Sequence, residues 1–387
     1  MATYQGTNTT KVEAELLKRS VITRDKIFEN SNKSPFLNSL YSKGKTTDET
    51  QQTFEWLETQ TTSLRFKMNA ANDTETSLTI SDGTASILKT GDILKNIMTN
   101  EQIYIENITG STLTVKRGYS EDSKKASISA SHTFLMTSTP FEEGSMAPEG
   151  TYLTRGDNKN YLQIFRKTVD ITRNKAKTKM YGYNTDGTAM ERRKDERNKV
   201  LKLLQREIET QLMFGSPKKD VTGAKPKYTT GGLLYYIKSN IMDIKTASDF
   251  KIGTIAELMG KMADAGADGD KILFAGSKFI SLLNDNVIKT FGGGAGSTIK
   301  QYGTVVNTIS TEYGDLEIMY NPVLKDEYSN MAVIVDYDTV MLHIGEDITL
   351  KENIHDDKYD GFQDGFLAEL GLEVNNEACN GIIKLNF

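Results

Sequence analysis

Apolar residues along this chain come mostly in short alternating runs, and one stretch departs from that habit. Between Thr188 and Gly215 the apolar positions fall three and four apart, so that Val200, Leu201, Leu204, Ile208 and Leu212 share one helical face. Thr188 and Glu191 have the spacing of a capping box, Gly215 suits the residue just past a helix end, and Pro217 forbids continuation. No Gly or Pro intervenes. Arg192/Glu196 and Asp195/Lys199 stand four apart with opposite charge and support the polar face. The pattern predicts one uninterrupted helix over most of Thr188–Phe214, on the order of 40 Å long. Its apolar stripe lies in the second half, whereas Glu191–Lys199 is almost wholly charged. Such a helix suits a strut crossing a flat domain, and equally a surface helix of an α/β enzyme.

The rest of the chain is dominated by strand signals. Residues 1–20 are polar and predict an extended arm with a short helix near Val12–Leu17; Ser34-Pro35-Phe36-Leu37 makes a break and an anchor, and Thr46–Gln52 reads as loop. Thr53–Glu58 alternates aromatic and acidic residues and holds the single tryptophan, Trp56, whose plainest role is packing. Residues 75–138 predict a self-contained all-β module, a small barrel or sandwich: Ser77–Ile80, Asp92–Leu94, Ile103–Ile105, Leu113–Val115 and Thr133–Met136 are short strands, with turns at Asp82-Gly83 and Thr109-Gly110-Ser111. A loop-like stretch, 139–158, leads to a long strand over Asn160–Ile171. If that strand pairs antiparallel with Thr53–Glu58, the β module is an excursion within a two-stranded arm. Beyond Gly215, Thr254–Ala265 is an amphipathic helix, Lys271–Ala275 a buried strand, and Ser277–Leu283 the start of another helix. Val305–Ile309, Leu316–Tyr320, Met331–Val335, Val340–His343, Phe366–Val374 and Ile382–Phe387 read as strands.

Composition narrows the classes. The 387 residues allow two or three domains, and a net charge of −5 with mixed signs makes neither nucleic acid nor an anionic membrane an obvious partner. Mean hydropathy is −0.46 and no apolar run approaches the ~20 residues of a membrane span. The first residues have neither a basic nor an apolar signal region. A single cysteine, Cys379, rules out an intrachain disulfide.

Candidate chemistry is sparse. His132, His343 and His355 share no metal-ligand spacing with one another or with Cys379, and no nucleophile elbow occurs. Gly292–Thr298 lacks the lysine that a phosphate loop places before Ser297, and reads as a mobile loop. The stretch from Asp356 imitates a calcium loop but offers Lys358 at position three and Leu367 at position twelve, where an acceptor and a Glu are needed. The basic cluster at Arg192-Arg193-Lys194 is diluted by Asp195 and Glu196, which favours a solvated face or subunit salt bridges over nucleic-acid binding. We therefore expect no catalytic residue, no cofactor and no specific metal, and a function that resides in shape and contacts.

Several strings in colinear order carry a resemblance: Ser34–Leu40, Phe54-Glu55-Trp56, Arg155–Val169, Gly231-Gly232-Leu233, Tyr313–Leu316 and Gly371–Glu377. Together with the order of elements, the chain resembles the major capsid proteins of tailed phages, which share the Hong Kong 97 fold. The resemblance implies an α+β fold with a long spine helix, an extended β arm carrying an inserted all-β module, and a separate α/β axial domain. It implies an N-terminal arm over 1–45, extension-arm strands within 46–74 and 139–187, the inserted module at 75–138, a peripheral domain with the spine at 188–228, an axial domain at 229–342, and a C-terminal return to the peripheral sheet at 343–387. The implied function is a homo-oligomeric shell of pentameric and hexameric capsomers around double-stranded DNA, without sequence-specific contact and without a membrane. A long helical N-terminal segment is missing, so a separate scaffolding protein, together with a portal, is the expected partner. Subunit-interface candidates are Phe54, Trp56, Tyr161, Phe165, Arg166, Lys167, Arg193 and Arg197. The alternatives are an encapsulin-type nanocompartment and a glycan-binding module of a phage tail or cell surface.

Overall fold

The computed structural model describes residues 34–59, 64–82, 87–121, 124–146, 155–177, 192–246, 249–291, 308–354 and 360–386. The chain forms two compact units, one of Met1–Glu58 with Asp157–Phe387, the other of Thr59–Gly156.

In the first unit the stretch from Arg192 to Phe214 is one helix of 23 residues, about 35 Å long. Its stripe is buried as the spacing predicts: Leu204, Ile208, Leu212 and Met213 are fully buried while Leu203, off the stripe, is exposed. Each such side chain contributes about 1.5–3 kcal/mol by leaving water. The capping pair Thr188/Glu191 lies outside the described residues. The helix stops where Gly215 meets Gly231-Gly232: a Cβ at Gly232 would sit 2.6 Å from the Leu212 carbonyl, so only glycine allows the turn so close to the helix end.

The helix packs on a four-stranded sheet whose spatial order is Thr46–Asp48, Val340–Lys351, Gly361–Val374, Gln163–Thr172. Phe165, Val169 and Ile171 from one strand and Phe366, Ala368, Leu370 and Leu372 from its neighbour alternate onto the helix side, as period-two side chains must. A six-stranded sheet follows, in the order Ile241–Ile244, Gly381–Leu385, Met331–Asp336, Lys271–Ala275, Gly314–Tyr320, Thr308–Thr311. Its strand Lys271–Ala275 is buried throughout because both faces are covered. Ile272 and Phe274 join the core that contains the long helix, whereas Leu273 and Ala275 face the helices Ile252–Asp264 and Ser277–Phe291.

The second unit is a closed six-stranded barrel: Arg65–Met68, Ser77–Asp82, Thr112–Arg117, Gln102–Thr109, Ile93–Asn96, Thr133–Ser138 in spatial order. Closure leaves no free edge. Phe66, Met68, Leu78, Leu94, Ile103, Ile105, Leu113, Val115 and Phe134 fill it. It also holds a buried ion pair: Arg117 Nε and Nη2 lie 2.7 Å from the two Glu101 oxygens, and Arg117 Nη1 donates to the Asn72 carbonyl at 2.9 Å.

The structure corrects six readings of the sequence. Thr46–Asp48, within the stretch read as loop, is a strand that pairs parallel with Val340–Lys351. Thr53–Thr59 pairs with Arg155–Tyr161, not with the strand after it. The run Asn160–Ile171 is broken at Leu162, because Asn160 is pinned by hydrogen bonds to Thr230, Gly231 and Leu372, and Gln163–Thr172 belongs to the four-stranded sheet instead. The barrel begins at Arg65, since Arg65–Lys67 pair with Thr133–Leu135 and close the cylinder. Residues 35–42 are no arm but a helix, with Phe36, Leu37 and Leu40 fully buried. The C-terminal segment divides: Gly361–Val374 returns to the four-stranded sheet, whereas Gly381–Leu385 inserts into the six-stranded one between Ile241–Ile244 and Met331–Asp336. The remaining expectation for residues 1–33 and the glycine loop at 292–298 fall outside the described residues.

Candidate subunit-interface residues

The eight candidates fall into three places, all in the first unit. Phe54 and Trp56 project from the ribbon strand Thr53–Thr59 and are only 5% and 7% exposed. The Phe54 ring lies flat on His343, centroids 4.1 Å apart, and against Gly371, where a Cβ would come within 2.6 Å of the ring. Trp56 meets Tyr236 edge-on at 5.7 Å and donates its indole N–H to Glu58 Oε1 at 2.8 Å. That same oxygen accepts the Asn376 N–H at 3.0 Å. Both aromatics therefore anchor the ribbon to the body of their own subunit. Tyr161, from the partner strand of the ribbon, is half-buried beside Tyr228, ring centroids 5.8 Å apart.

Phe165 and Lys167 face the long helix. Phe165 is 2% exposed in the main core, and Lys167 Nζ pairs with Glu207 at 2.7 Å. Arg166, one residue along and on the opposite face, is exposed. Of this trio only Arg166 keeps its side chain available.

Arg193 and Arg197, one turn apart on the long helix, converge on Asp364. Arg193 Nε donates to Asp364 Oδ2 at 2.8 Å and its Nη2 to Oδ1 at 2.6 Å; Arg197 Nε donates to Oδ2 at 2.8 Å. The Asn353 N–H adds a fourth donor at 3.0 Å. Burial pushes the Asp364 carboxyl up, but the hydrogen bonds from Arg193, Arg197 and the Asn353 N–H outweigh it and hold the group well below the usual carboxylate range. Arg197 also reaches Glu352 at 2.7 Å. The fork of arginine suits this two-pronged grip. The pair thus bolts the helix to Gly361–Val374 within one subunit.

Two clusters went unnoticed in the sequence. Glu209, fully buried on the long helix, accepts the N–H groups of Phe36 at 3.0 Å and Leu37 at 2.8 Å, and the Asn321 amide at 2.7 Å. It caps the helix Pro35–Ser42 from a distance of 172 residues in sequence. Burial raises its carboxyl to about 7, although all three hydrogen bonds oppose the rise. The signal was an acid standing between Leu204 and Met213 inside an apolar stripe. His343, the second, hydrogen-bonds Glu373 through Nε2 and turns Nδ1 towards Glu49 Oε2 at 3.7 Å, under the Phe54 ring. Burial raises the Glu373 carboxyl, but His343 and Asn375 bring it below the usual value. Among the described residues no group of three or more His, Cys, Asp or Glu is arranged to hold a metal ion. These clusters join secondary-structure elements to one another; the Glu209 carboxylate is fully engaged, whereas His343 Nδ1 is buried without a hydrogen-bond partner.

The comparisons with known proteins agree with a structural role. The model of the SU10 major capsid protein family matches residues 3–386. The chain belongs to that family. It is 26% identical over 288 residues to the major capsid protein of Pseudomonas phage PaMx41, covering 70% of this chain; the matched region spans 65% of that relative's length. Among solved structures, the capsid of a native GTA particle aligns with a TM-score of 0.52 at 10% identity, covering 99% of this chain and 100% of that one. The capsid of an empty GTA particle gives 0.52 at 10% identity, covering 98% and 99%. At such identity the likeness concerns the fold, which is the α+β, Hong Kong 97-like capsid fold.

Proposed function

We propose that this chain is the subunit of a tailed-phage head, which self-assembles into a closed shell around double-stranded DNA. The observation that carries the reading is the capsid-family match over residues 3–386, nearly the whole chain. Within the shell, Arg192–Phe214 serves as the spine and the four-stranded sheet as the peripheral domain. The six-stranded sheet with its two flanking helices is the axial domain towards the capsomer centre. The ribbon Thr53–Thr59 with Arg155–Tyr161 is the extension arm, and the barrel is an insertion carried within it. An isolated two-stranded ribbon is marginal in water. Phe54 and Trp56 root this one in its own subunit, and a neighbour steadies what lies beyond the root. Subunits group into pentamers and hexamers, with a separate scaffolding protein and portal; the packaged DNA is held without sequence readout.

The chemistry of the sites supports a protein that works by contact. The buried acids Asp364 and Glu209 and the buried His343 are each spent on joining elements. The test is direct: purify the full-length chain, alone and with its scaffold, and examine it by sedimentation velocity and electron microscopy. Closed particles are expected; only small oligomers under all conditions would sink the reading.

A further inference from the structure

Just past the long helix the chain forms a hairpin, Lys218–Asp220 paired with Lys227–Thr229. Residues 218–227 hold Lys218, Lys219, Lys225 and Lys227 against a single acid, Asp220. That is a net +3 in a chain whose total is −5, so the remainder stands at −8. All four lysines are exposed, and none closes a salt bridge among the described residues. Lys43, Lys45 and Lys167 each pair with a carboxylate, whereas the hairpin gathers four exposed lysines without such a pair within ten residues.

The hairpin is anchored at its base and shaped at its tip. At the base the Thr230 N–H donates to Gln163 Oε1 at 3.1 Å, and Gln211 Nε2 donates to the Thr230 carbonyl at 2.8 Å. At the tip Asp220 Oδ1 accepts both the N–H and the hydroxyl of Thr222, at 3.0 and 2.6 Å. These bonds, with Lys218 and Lys227 nearby, hold the Asp220 carboxyl below its ordinary value. Lys219 lies over the Tyr228 ring at 5.7 Å. A loop already turned by its own hydrogen bonds loses little freedom on docking.

We propose that this hairpin is a basic clasp that docks on an acidic surface of a second copy of the chain. The inference rests on the shell reading. Two observations favour a protein surface over the phosphates of DNA. First, Val221 at the tip is 62% exposed, beside Ala224 and Pro226; a phosphate backbone has nothing to offer an apolar tip, whereas a protein surface has. Second, the register places Lys219 opposite Tyr228 on one side of the hairpin and Lys218 and Lys227 with the other. The positive charge surrounds the hairpin and does not line up along one face as a phosphate track demands. The remainder of the chain, at −8, provides the complementary charge. A patch that meets a different patch on the next copy is a heterologous contact, the kind that closes rings.

The experiment uses the full-length chain, wild type against a variant with Lys218, Lys219, Lys225 and Lys227 all changed to Gln, and a second with all four changed to Arg. Circular dichroism reports folding, sedimentation velocity reports the concentration at which particles form, and fluorescence anisotropy with a labelled DNA duplex reports phosphate binding. The Gln variant is expected to keep its spectrum and melting curve but to need about tenfold more protein to assemble, the sum of several weak charge pairs. Salt should raise the wild-type threshold and leave that of the Gln variant flat, and the Arg variant should restore assembly. A Gln variant that assembles at the wild-type threshold overturns the proposal, as does one that loses only DNA binding. Should the Gln variant misfold, Val221→Ser and Lys225→Gln, both at the exposed tip, repeat the comparison, and wild-type thresholds in both overturn it. Wild-type protein that forms no particles at all counts against the shell reading itself.

Discussion

Replacing Asp364 by Ala would remove the one acceptor that two arginines of the long helix share. Asp364 has a side chain 1% exposed and accepts four hydrogen bonds, three from Arg193 and Arg197 and one from the Asn353 N–H. Its loss leaves two like charges four residues apart, with Glu352 on Arg197 as the remaining counter-charge, and strands the Asn353 N–H. Breaking a buried ion pair from one side costs about 3–5 kcal/mol. Arg193 and Arg197 remain 26% and 17% exposed, so water recovers part of the loss and the lower end, about 3 kcal/mol, is expected. In a unit of this size that corresponds to a fall of several degrees in Tm. Calorimetry on the unassembled subunit measures it, and hydrogen exchange should localise the loosening to Arg192–Lys199 and Gly361–Phe366.

The charge dependence is the sharper half of the test. Because the folded carboxyl sits below its unfolded value, its contribution is complete above the unfolded range, near pH 4, and is lost as pH falls through the folded value. The gap between wild type and Asp364→Asn should therefore be widest at neutral pH and close steadily below pH 4. A loss under about 1 kcal/mol, or a gap constant down to pH 2, would refute the claim that Asp364 bolts the helix to the sheet.

Glu209 should show the opposite sign. Its folded value of about 7 exceeds the ordinary 4.5, so stability should fall as pH rises between those limits, by on the order of 3 kcal/mol; Glu209→Gln should flatten that slope in urea titrations at pH 5 and pH 8. Arg117→Met should strand Glu101 inside the barrel and cost about 3–5 kcal/mol, read as early proteolysis within residues 64–146 while the other unit survives. Gly371→Ala should push the Phe54 ring off His343, with a loss of about 1–3 kcal/mol for overpacking and increased hydrogen exchange over Thr53–Glu58.

What was legible in the sequence is what periodicity encodes. The long helix followed from apolar residues three and four apart, and the barrel strands from alternation bounded by turns. Partner choice between strands was not legible. Thr53–Thr59 and Gln163–Thr172 both alternate, but the break that separates their sheets is made by Asn160, whose three acceptors come from residues 70 to 212 positions away. The fastenings around the candidate residues were not legible either, for the same reason. Arg193 and Arg197 were visible as charges, whereas Asp364, more than 160 positions on, became their counter-charge only when Gly361–Val374 returned to lie against the helix. Trp56 illustrates the reverse: its packing role is what a lone tryptophan most often has, and the structure places it at 7% exposure.

The division of labour between the two basic residue types follows from their chemistry. Arg117, Arg193 and Arg197 each spend a guanidinium on a carboxylate almost wholly removed from water. A planar, weakly hydrated fork can make those bonds at a tolerable desolvation cost, and a lysine cannot make two of them in one plane. The hairpin at Lys218–Thr229 carries only lysines, compact and strongly hydrated charges that keep their water while exposed. Contacts through such groups are individually weak and screened by salt. A capsid subunit that joins many copies of itself benefits from that contrast. Its internal fastenings have to survive every collision, while its contacts with neighbours have to be weak enough singly for a misplaced subunit to leave. The arginines paired with buried carboxylates meet the first demand, and the open lysines, in the proposed clasp, meet the second.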